Sequence, residues 1–193
     1  MPQCESKRQA LLRSILAHDA ARMALLAQVE ALGLSDCWVA AGFVRAAVWD
    51  ALHGRSATPP GADIDVIWFD AARIEKKDRA IERHLQATAP GHAWSIKNQA
   101  RMHLRNGDAA YTSCADAMRF WPETATSVAV RISAGELETM ASFGLADLFG
   151  LVLRPTPAFS GEKRAVFEQR VARKRWLEIW PQLQLRDAAY PNE

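Results

Sequence analysis

The chain has 193 residues, 49% of them hydrophobic and 24% charged, which is the balance of an ordinary globular protein. Its formal charge of +2 gives no support to a large nucleic-acid partner, because such a partner usually requires a strong basic excess. Three widely spaced cysteines form no CxxC pair, the N-terminus has no signal-peptide core, and no apolar run approaches a membrane span. We therefore expect a soluble, cytoplasmic protein without a disulfide framework and with no membrane partner.

The first 33 residues predict a helical lead-in. Apolar residues recur at helical spacing over residues 6–32. Ser6 and Asp19 are candidate N-caps, and Gly33 is a candidate stop.

A strand, a glycine and a helix are predicted next. Residues 37–41 are short and apolar, which is typical of a buried strand. Gly42 ends that strand, and residues 44–53 predict a helix. A loop over residues 55–62 contains two prolines and a glycine. Residues 63–69, rich in isoleucine, valine and aromatic residues, predict a second strand.

The rest of the chain predicts further helices and strands without internal repeats. They are a charged helix over residues 72–86, a strand over 94–97, a helix over 114–120 capped by Ser113, paired strands over 126–133 and 137–142, a helical turn over 143–149, and a last helix over 163–179 stopped by Pro181. The basic residues of the charged helix favour a solvated face over a binding patch.

The candidate site begins at the glycine between the first strand and its helix. Gly42 has no Cβ, so the backbone can approach a ligand closely there. The first amides of the following helix are suited to an anionic phosphate. Arg45, three residues further on, could add a positive charge for phosphate oxygens or pair with Asp65.

Two aspartates on the second strand strengthen this hypothesis. Asp63 and Asp65 are two residues apart, so on a strand both carboxylates point to the same side. Side by side they repel unless a cation lies between them, and Mg²⁺ prefers a few carboxylates together with substrate phosphates. The alternative is that both aspartates are surface residues that cap the preceding loop.

These residues resemble a known superfamily. The sequence Ala-Gly-Phe-Val-Arg at residues 41–45, followed by Asp-Ile-Asp at residues 63–65, resembles the head of DNA polymerase β-type nucleotidyltransferases. The nearest motif is the Gly-Gly-x-Val-Arg-Asp run of CCA-adding and poly(A) polymerase heads. The wider chain after Gly33 resembles a bacterial nucleotidyltransferase-like family, formerly of unknown function. Six segments carry that second resemblance, residues 41–70, 97–103, 121–124, 143–149, 154–155 and 180–181.

The resemblance implies an α+β fold. Its core would be a mixed sheet flanked by helices, as in polymerase β-type nucleotidyltransferases. The whole chain, residues 1–193, would form a single nucleotidyltransferase-like domain. Residues 1–33 would be the helical lead-in, 34–154 the core, and 155–193 a C-terminal helical segment.

The resemblance also implies roles for individual residues. Gly42 and its neighbour Phe43 would cradle the β and γ phosphates of an NTP, with Arg45 beside them. Asp63 and Asp65 would be the catalytic residues and would hold Mg²⁺, with a two-metal site possible.

Three more residues are candidates for nucleotide binding. Asn98, Arg101 and His103 offer an amide and two potential cations to base, ribose or phosphates. The alternative is that they tie a loop to the sheet.

The chain departs from the superfamily pattern in three ways. Ala41 replaces the first glycine of the motif, and Ala46 replaces the aspartate after the arginine. A third carboxylate is expected on a later strand, but residues 94–99 contain no acid. Asp116 or Glu123 would have to fold back to supply it.

Together these observations predict a Mg²⁺-dependent nucleotidyltransferase. It would transfer a nucleoside monophosphate from an NTP to an unidentified hydroxyl acceptor, which could be a small molecule or a protein. The alternative is a catalytically reduced nucleotide-binding or regulatory module with the same fold, which the missing third acid favours. A tRNA-binding role ranks last, because the chain has no basic surplus.

Overall fold

A five-stranded mixed sheet is the centre of the computed structural model, which describes residues 2–60, 63–72 and 74–187. Its strands are β1 (Cys37–Ala40), β2 (Asp63–Trp68), β3 (Ala93–Asn98), β4 (Val128–Ser133) and β5 (Glu136–Ala141). Their spatial order is β3-β2-β1-β4-β5. Strands β2 and β3 are parallel and the other neighbours are antiparallel. The predicted α+β class with a mixed sheet is confirmed.

Helices flank this sheet. They are α1 (Pro2–Ala17), α2 (Ala20–Glu30), α3 (Gly42–Leu52), α4 (Glu75–Thr88), α5 (Met102–Asn106), α6 (Cys114–Met118), α7 (Ala146–Phe149), α8 (Arg164–Lys174) and α9 (Trp176–Ile179). A second, two-stranded parallel sheet pairs β6 (Val152–Leu153) with β7 (Gln184–Leu185). No helix in the described part of the chain has the length and apolar character required to span a bilayer.

The two faces of the large sheet have different surroundings. Val39 and Val66 lie on the face that the main hydrophobic core and its helices cover. Trp38 and Ile67 lie on the other face, in a smaller cluster with Met118 of α6. Successive side chains of a strand alternate between the two faces of the sheet. The polar residues of β2 and β3 therefore point either to the main core or to the face of the smaller cluster.

The N-terminal helices follow the predicted pattern with one correction. The Asp19 carboxylate accepts a hydrogen bond from the backbone N–H of Arg22, so the predicted N-cap of α2 is confirmed. Ser6 is not an N-cap, because α1 already begins at Pro2 and Ser6 lies inside it. Gly33 has a φ of 61° just beyond α2, as expected for a residue that follows a helix end.

Some predicted boundaries differ from those observed. Helix α3 begins at Gly42, and α4 begins only at Glu75. The predicted last helix is broken at Arg175, whose φ of 52° is left-handed, and this break produces α8 and α9. No sequence pattern predicted α5, β6 or β7. Residues 61, 62 and 73, which the predictions included, lie outside the described residues, as do residues 188–193.

Three tryptophans attach the C-terminal helices to α3. Trp49 of α3 is fully buried. Its ring lies edge-on to Trp176 and Trp180, with centroids 6.0 and 5.1 Å away. Edge-to-face pairs of this kind add about 0.5–1.5 kcal/mol each beyond the burial of apolar area. The C-terminal segment is thereby held beside the helix that follows β1.

Candidate active site

The two aspartates of β2 lie in the same cavity as the start of α3. This cavity has a volume of about 650 Å³, and its lining includes Asp63, Asp65, Gly42 and Arg45. Asp65 pairs with Ala40, the last residue of β1, across the antiparallel ladder. The chain enters α3 directly after Ala40 and one turn residue, so the ladder brings the carboxylates to that helix start.

The strained residue of the turn is Ala41 and not the glycine that follows it. Ala41 has a φ of 52° and a ψ of −110°, a conformation in which glycine is the usual residue. Its carbonyl accepts the first hydrogen bond of α3, from the backbone N–H of Arg45 at 2.9 Å. Gly42 has no positive φ, and a Cβ there would lie 3.5 Å from Arg45, an ordinary contact. Gly42 lines the cavity and has no side chain that could cover the first amides of α3.

Arg45 supplies a fixed positive charge to this cavity. Its guanidinium lies over the rings of Trp49 and Trp176, 5.3 and 4.6 Å from their centroids. Burial lowers the pKa of Arg45 to about 10, against the effect of the nearby Glu123 carboxylate, so the group remains charged at neutral pH. Its buried Nε has no hydrogen-bond partner in the described part of the chain. A buried donor without a partner is uncommon and is consistent with a ligand that accepts from it.

Arg170 of α8 is a site residue that the sequence reasoning missed. It lines the cavity, and its Nε donates to Glu123 Oε1 at 2.7 Å. Glu123 has no exposed surface, and its other oxygen accepts from Thr126 Oγ1 at 2.7 Å. A carboxylate held in this way fixes the orientation of the arginine. Arg170 and Glu123 are 47 residues apart, so no local pattern predicts the pair.

A buried aspartate binds two further lining residues of the cavity. Asp50 of α3 accepts a hydrogen bond from Trp180 Nε1 at 2.8 Å and another from the backbone N–H of Thr58 at 3.0 Å. Burial acts to raise the pKa of Asp50, but the hydrogen bonds from Thr58 and Trp180 outweigh it, so the pKa lies below its ordinary value. Both Thr58 and Trp180 line the cavity.

A second cavity of about 400 Å³ adjoins the first. Four residues, Ala41, Asp65, Ser95 and Arg170, line both. Asp65 therefore faces two spaces, whereas Asp63 lines only the larger one.

Asn98 lies on the other face of the sheet from the two aspartates. It pairs with Trp68, whose side chain lies in the main core. Its Oδ1 accepts from the backbone N–H groups of Asp70 and Ala100, and its Nδ2 donates to the Asp70 carbonyl at 2.8 Å. These contacts agree with the alternative hypothesis, in which Asn98 ties a loop to the sheet.

Arg101 and His103 are also absent from the linings of the two cavities. Arg101 forms a salt bridge with Asp78 of α4. His103 is buried with its ring edge-on to Tyr111 at 6.0 Å. Phe43 is 2% exposed and packs in the main core, so only its backbone amide belongs to the start of α3. Nucleotide contacts by these side chains stay predictions.

A third carboxylate does not line either cavity among the described residues. Ser95 is the residue of β3 that pairs with Asp65. Asp116 accepts from the backbone N–H of Thr112 at 2.9 Å, and Glu123 is committed to Arg170 and Thr126. Within the described residues, no group of three or more histidine, cysteine, aspartate or glutamate side chains is arranged around a metal position. Asp63 and Asp65 are the two residues here whose oxygens could hold a hard divalent cation.

Comparison with known protein families assigns this fold to the nucleotidyltransferases. The model of a nucleotidyltransferase family matches residues 27–185 of the chain. The chain belongs to this family.

Comparison with solved structures gives the same result. The chain is similar to a protein whose NMR structure reveals a CCA-adding enzyme head domain, with 33% identity, a TM-score of 0.81, and coverage of 91% of this chain and 94% of that one. The polymerase β-type fold implied by the resemblance to such heads is thereby confirmed. Comparison with curated proteins gave no match.

Two longer structures are similar in fold alone. A CCA-adding enzyme in its apo form gives a TM-score of 0.54 at 15% identity, over 90% of this chain and 42% of that one. A CCA-adding enzyme in complex with ATP gives a TM-score of 0.50 at 14% identity, over 93% of this chain and 39% of that one. The chain thus spans less than half of the length of these two enzymes.

Proposed function

We propose that this protein is a Mg²⁺-dependent nucleotidyltransferase that transfers a nucleoside monophosphate from an NTP to a hydroxyl acceptor. The observation that carries the proposal is the single cavity that Asp63, Asp65, Arg45 and the open start of α3 all line. Membership of a nucleotidyltransferase family supports it. CCA-adding enzymes of similar fold are known in complexes with CTP and with ATP, which supports an NTP as the substrate here.

The triphosphate would lie along the start of α3. Gly42 and Phe43 are the first two residues of α3, so their N–H groups have no acceptor within the helix, and the helix dipole also favours negative charge there. The unpartnered Nε of Arg45 would donate to a phosphate oxygen. A volume of about 650 Å³ is within the range of small-molecule sites and large enough for a nucleotide.

The two carboxylates fit a magnesium ion that completes its coordination with substrate phosphates. Mg²⁺ is usually bound by one or two carboxylates together with phosphate oxygens and waters, which requires no third acid from the protein. When bound, the ion would stabilise the negative charge that develops on the α-phosphate and on the leaving pyrophosphate.

The reaction replaces one phosphorus–oxygen bond with another. The acceptor oxygen forms a bond to the α-phosphorus, the bond from that phosphorus to the bridging oxygen of pyrophosphate breaks, and the hydroxyl proton is released to solvent. Asp65 and Arg170 line both cavities, so they lie where nucleotide and acceptor would meet. Arg170, oriented by its hydrogen bond to Glu123, would stabilise the negative charge on the transferred phosphate.

A transfer assay with NTPs labelled at the α-phosphate tests this proposal. The protein is expected to release one pyrophosphate for each label transferred to an acceptor, and only when Mg²⁺ is present. Asp63→Ala with Asp65→Ala is expected to abolish release. Asp70→Asn is the matched control, because Asp70 follows the same strand but pairs with Lys77 outside the cavity. Undiminished release by the double variant would refute the proposal.

The absence of a third acid from the described lining favours a second candidate, a nucleotide-binding module without transfer activity. That protein would bind NTP and Mg²⁺ but release no pyrophosphate with any acceptor. Steady release above the rate of the double aspartate variant excludes this candidate.

A further inference from the structure

We propose that the second cavity is the acceptor site, and that it takes a small phosphate ester that carries a free hydroxyl group. The inference rests on the proposed function and adds the chemical class of the acceptor. It depends on where this cavity lies, which charges line it, and how its walls limit the size of the ligand.

The second cavity lies where a second substrate would bind. It meets the larger cavity at Ala41, Asp65, Ser95 and Arg170. A molecule in it would have one end beside Asp65, where the α-phosphate of a nucleotide in the larger cavity would also lie. An acceptor hydroxyl there could reach that phosphorus without leaving its own site, which is the proximity that a two-substrate transfer requires.

The charges of the second cavity call for an anion. Lys97 and Arg105 line it, and no salt bridge to either residue is found in the described part of the chain. Lys97 Nζ donates to Ser95 Oγ at 2.6 Å, which leaves two of its hydrogens for a ligand. Asp65 is assigned to the metal and Arg170 is paired with Glu123, so two uncompensated positive charges remain. A phosphate monoester carries a charge of about −1.5 to −2 near neutral pH, which matches them.

The walls of the cavity favour a small ligand. Its apolar lining comes from Ile67, Met102, Trp121 and Pro122. Trp121 is partly exposed, so its ring can contact the body of a ligand. A volume of about 400 Å³ has room for one sugar or alcohol phosphate, whereas a nucleic-acid strand would need a longer basic groove. The chain as a whole, with a formal charge of +2, offers little excess for such a strand.

Calorimetric binding of a matched pair of probes tests this inference. The full chain is first saturated with Mg²⁺ and an unreactive NTP analogue, so that the larger cavity is filled. Ribose 5-phosphate, its uncharged match ribose, and inorganic phosphate are then titrated in. Ribose 5-phosphate is expected to bind at least tenfold more tightly than ribose, and inorganic phosphate is expected to bind measurably.

Variants of Lys97 and Arg105 provide the second part of this test. Lys97→Met with Arg105→Gln is expected to lower the affinity for ribose 5-phosphate at least tenfold. The affinity for the NTP analogue is expected to change less than twofold. Lys76→Ala with Arg83→Gln removes the same charge from the exposed face of α4 and is expected to change neither the affinity for ribose 5-phosphate nor that for the NTP analogue. Arg105→Gln alone, at an exposed position, cannot disturb the core and is expected to weaken ribose 5-phosphate about threefold.

Three results would overturn the inference. One is that neither phosphate probe binds to the NTP-loaded protein. Another is that binding is the same in the Lys97 and Arg105 variants. The third is that a short oligoribonucleotide with a free 3′-hydroxyl displaces ribose 5-phosphate at a lower concentration, which would make the acceptor a nucleic acid. Failure of the NTP analogue itself to bind would instead count against the proposed function, so the two failures are distinguishable.

Discussion

Asp65 lies directly opposite Ala40 across the antiparallel ladder of β1 and β2, and Ala40 is the residue before the turn into α3. This pairing is what brings a carboxylate on one strand to the helix start that follows the other. Asp63, two residues earlier on β2, points to the same side. The geometry of the site therefore depends on the register of one strand pair.

The turn at Ala41 is a site of backbone strain that glycine would relieve. A non-glycine residue at a φ of 52° and a ψ of −110° costs about 1–3 kcal/mol. Ala41→Gly removes that cost, although the more flexible unfolded chain takes back about 0.4–1 kcal/mol. We expect a gain of about 1 kcal/mol in the free energy of unfolding, measured by urea denaturation.

The control for this prediction is Ala46→Gly in the regular part of the same helix. That change is expected to lower the free energy of unfolding by about 1 kcal/mol, because glycine is unfavourable inside a helix. If both variants lose stability equally, the strain assigned to Ala41 is wrong.

Arg170 is expected to affect turnover more than nucleotide affinity. Arg170→Gln removes a charge from the junction of the two cavities. The rate of pyrophosphate release is expected to fall by about 10²-fold, the scale of removing one preorganised donor from a transition state. The dissociation constant of an NTP analogue is expected to change much less.

Two further variants separate position from charge. Glu123→Gln keeps Arg170 but weakens the contact that orients it, so an intermediate loss of turnover is expected. Arg173→Gln, at an exposed position on the same helix, is expected to have no effect. Equal losses in the Arg170 and Arg173 variants would remove Arg170 from the site.

The sequence predicted the local parts of this structure well. The order of β1, the turn and α3 follows from a short apolar run, a glycine and helical periodicity, and the hairpin of β4 and β5 follows from alternation around Ala134-Gly135. The grouping of Asp63 with Asp65 needs only the two-residue repeat of a strand. In each case the deciding interactions lie within a few residues.

Non-local contacts account for what the sequence did not predict. The position of Asn98, on the face of the sheet away from Asp65, depends on pairing between β2 and β3, which starts from residues 30 apart. The same register puts Ser95 and Lys97 on the face of Asp65, and their alternation along β3 was the signal that could have found them. Arg170 and the break at Arg175 depend on packing of the C-terminal segment against α3, which no local pattern encodes.

Asp50 makes a prediction about acid stability. Its pKa in the folded protein lies below the unfolded value of about 3.9. Its ionised form therefore contributes stability that is fully present above that value and is lost as the pH falls through the lower, folded pKa. Asp50→Asn is expected to lose about 1–3 kcal/mol at pH 7, because one acceptor in a buried network is replaced.

The pH dependence is the stricter part of that test. The difference in free energy of unfolding between wild type and Asp50→Asn is expected to shrink as the pH falls below about 4. Chemical denaturation at a series of pH values measures it. A difference that stays constant from pH 7 down to pH 2 would contradict the role given to the Asp50 carboxylate.

Calorimetric titration of an unreactive NTP analogue, with and without Mg²⁺, tests the central claim most directly. The claim is that Asp63 and Asp65 face the start of α3 across a divalent ion. The wild type and Asp70→Asn are expected to bind the analogue with an affinity that Mg²⁺ raises. Asp63→Asn with Asp65→Asn is expected to bind it about 100-fold more weakly, a loss of about 2.7 kcal/mol, with no response to Mg²⁺. An unchanged affinity and an unchanged response to Mg²⁺ in the double variant would contradict the account.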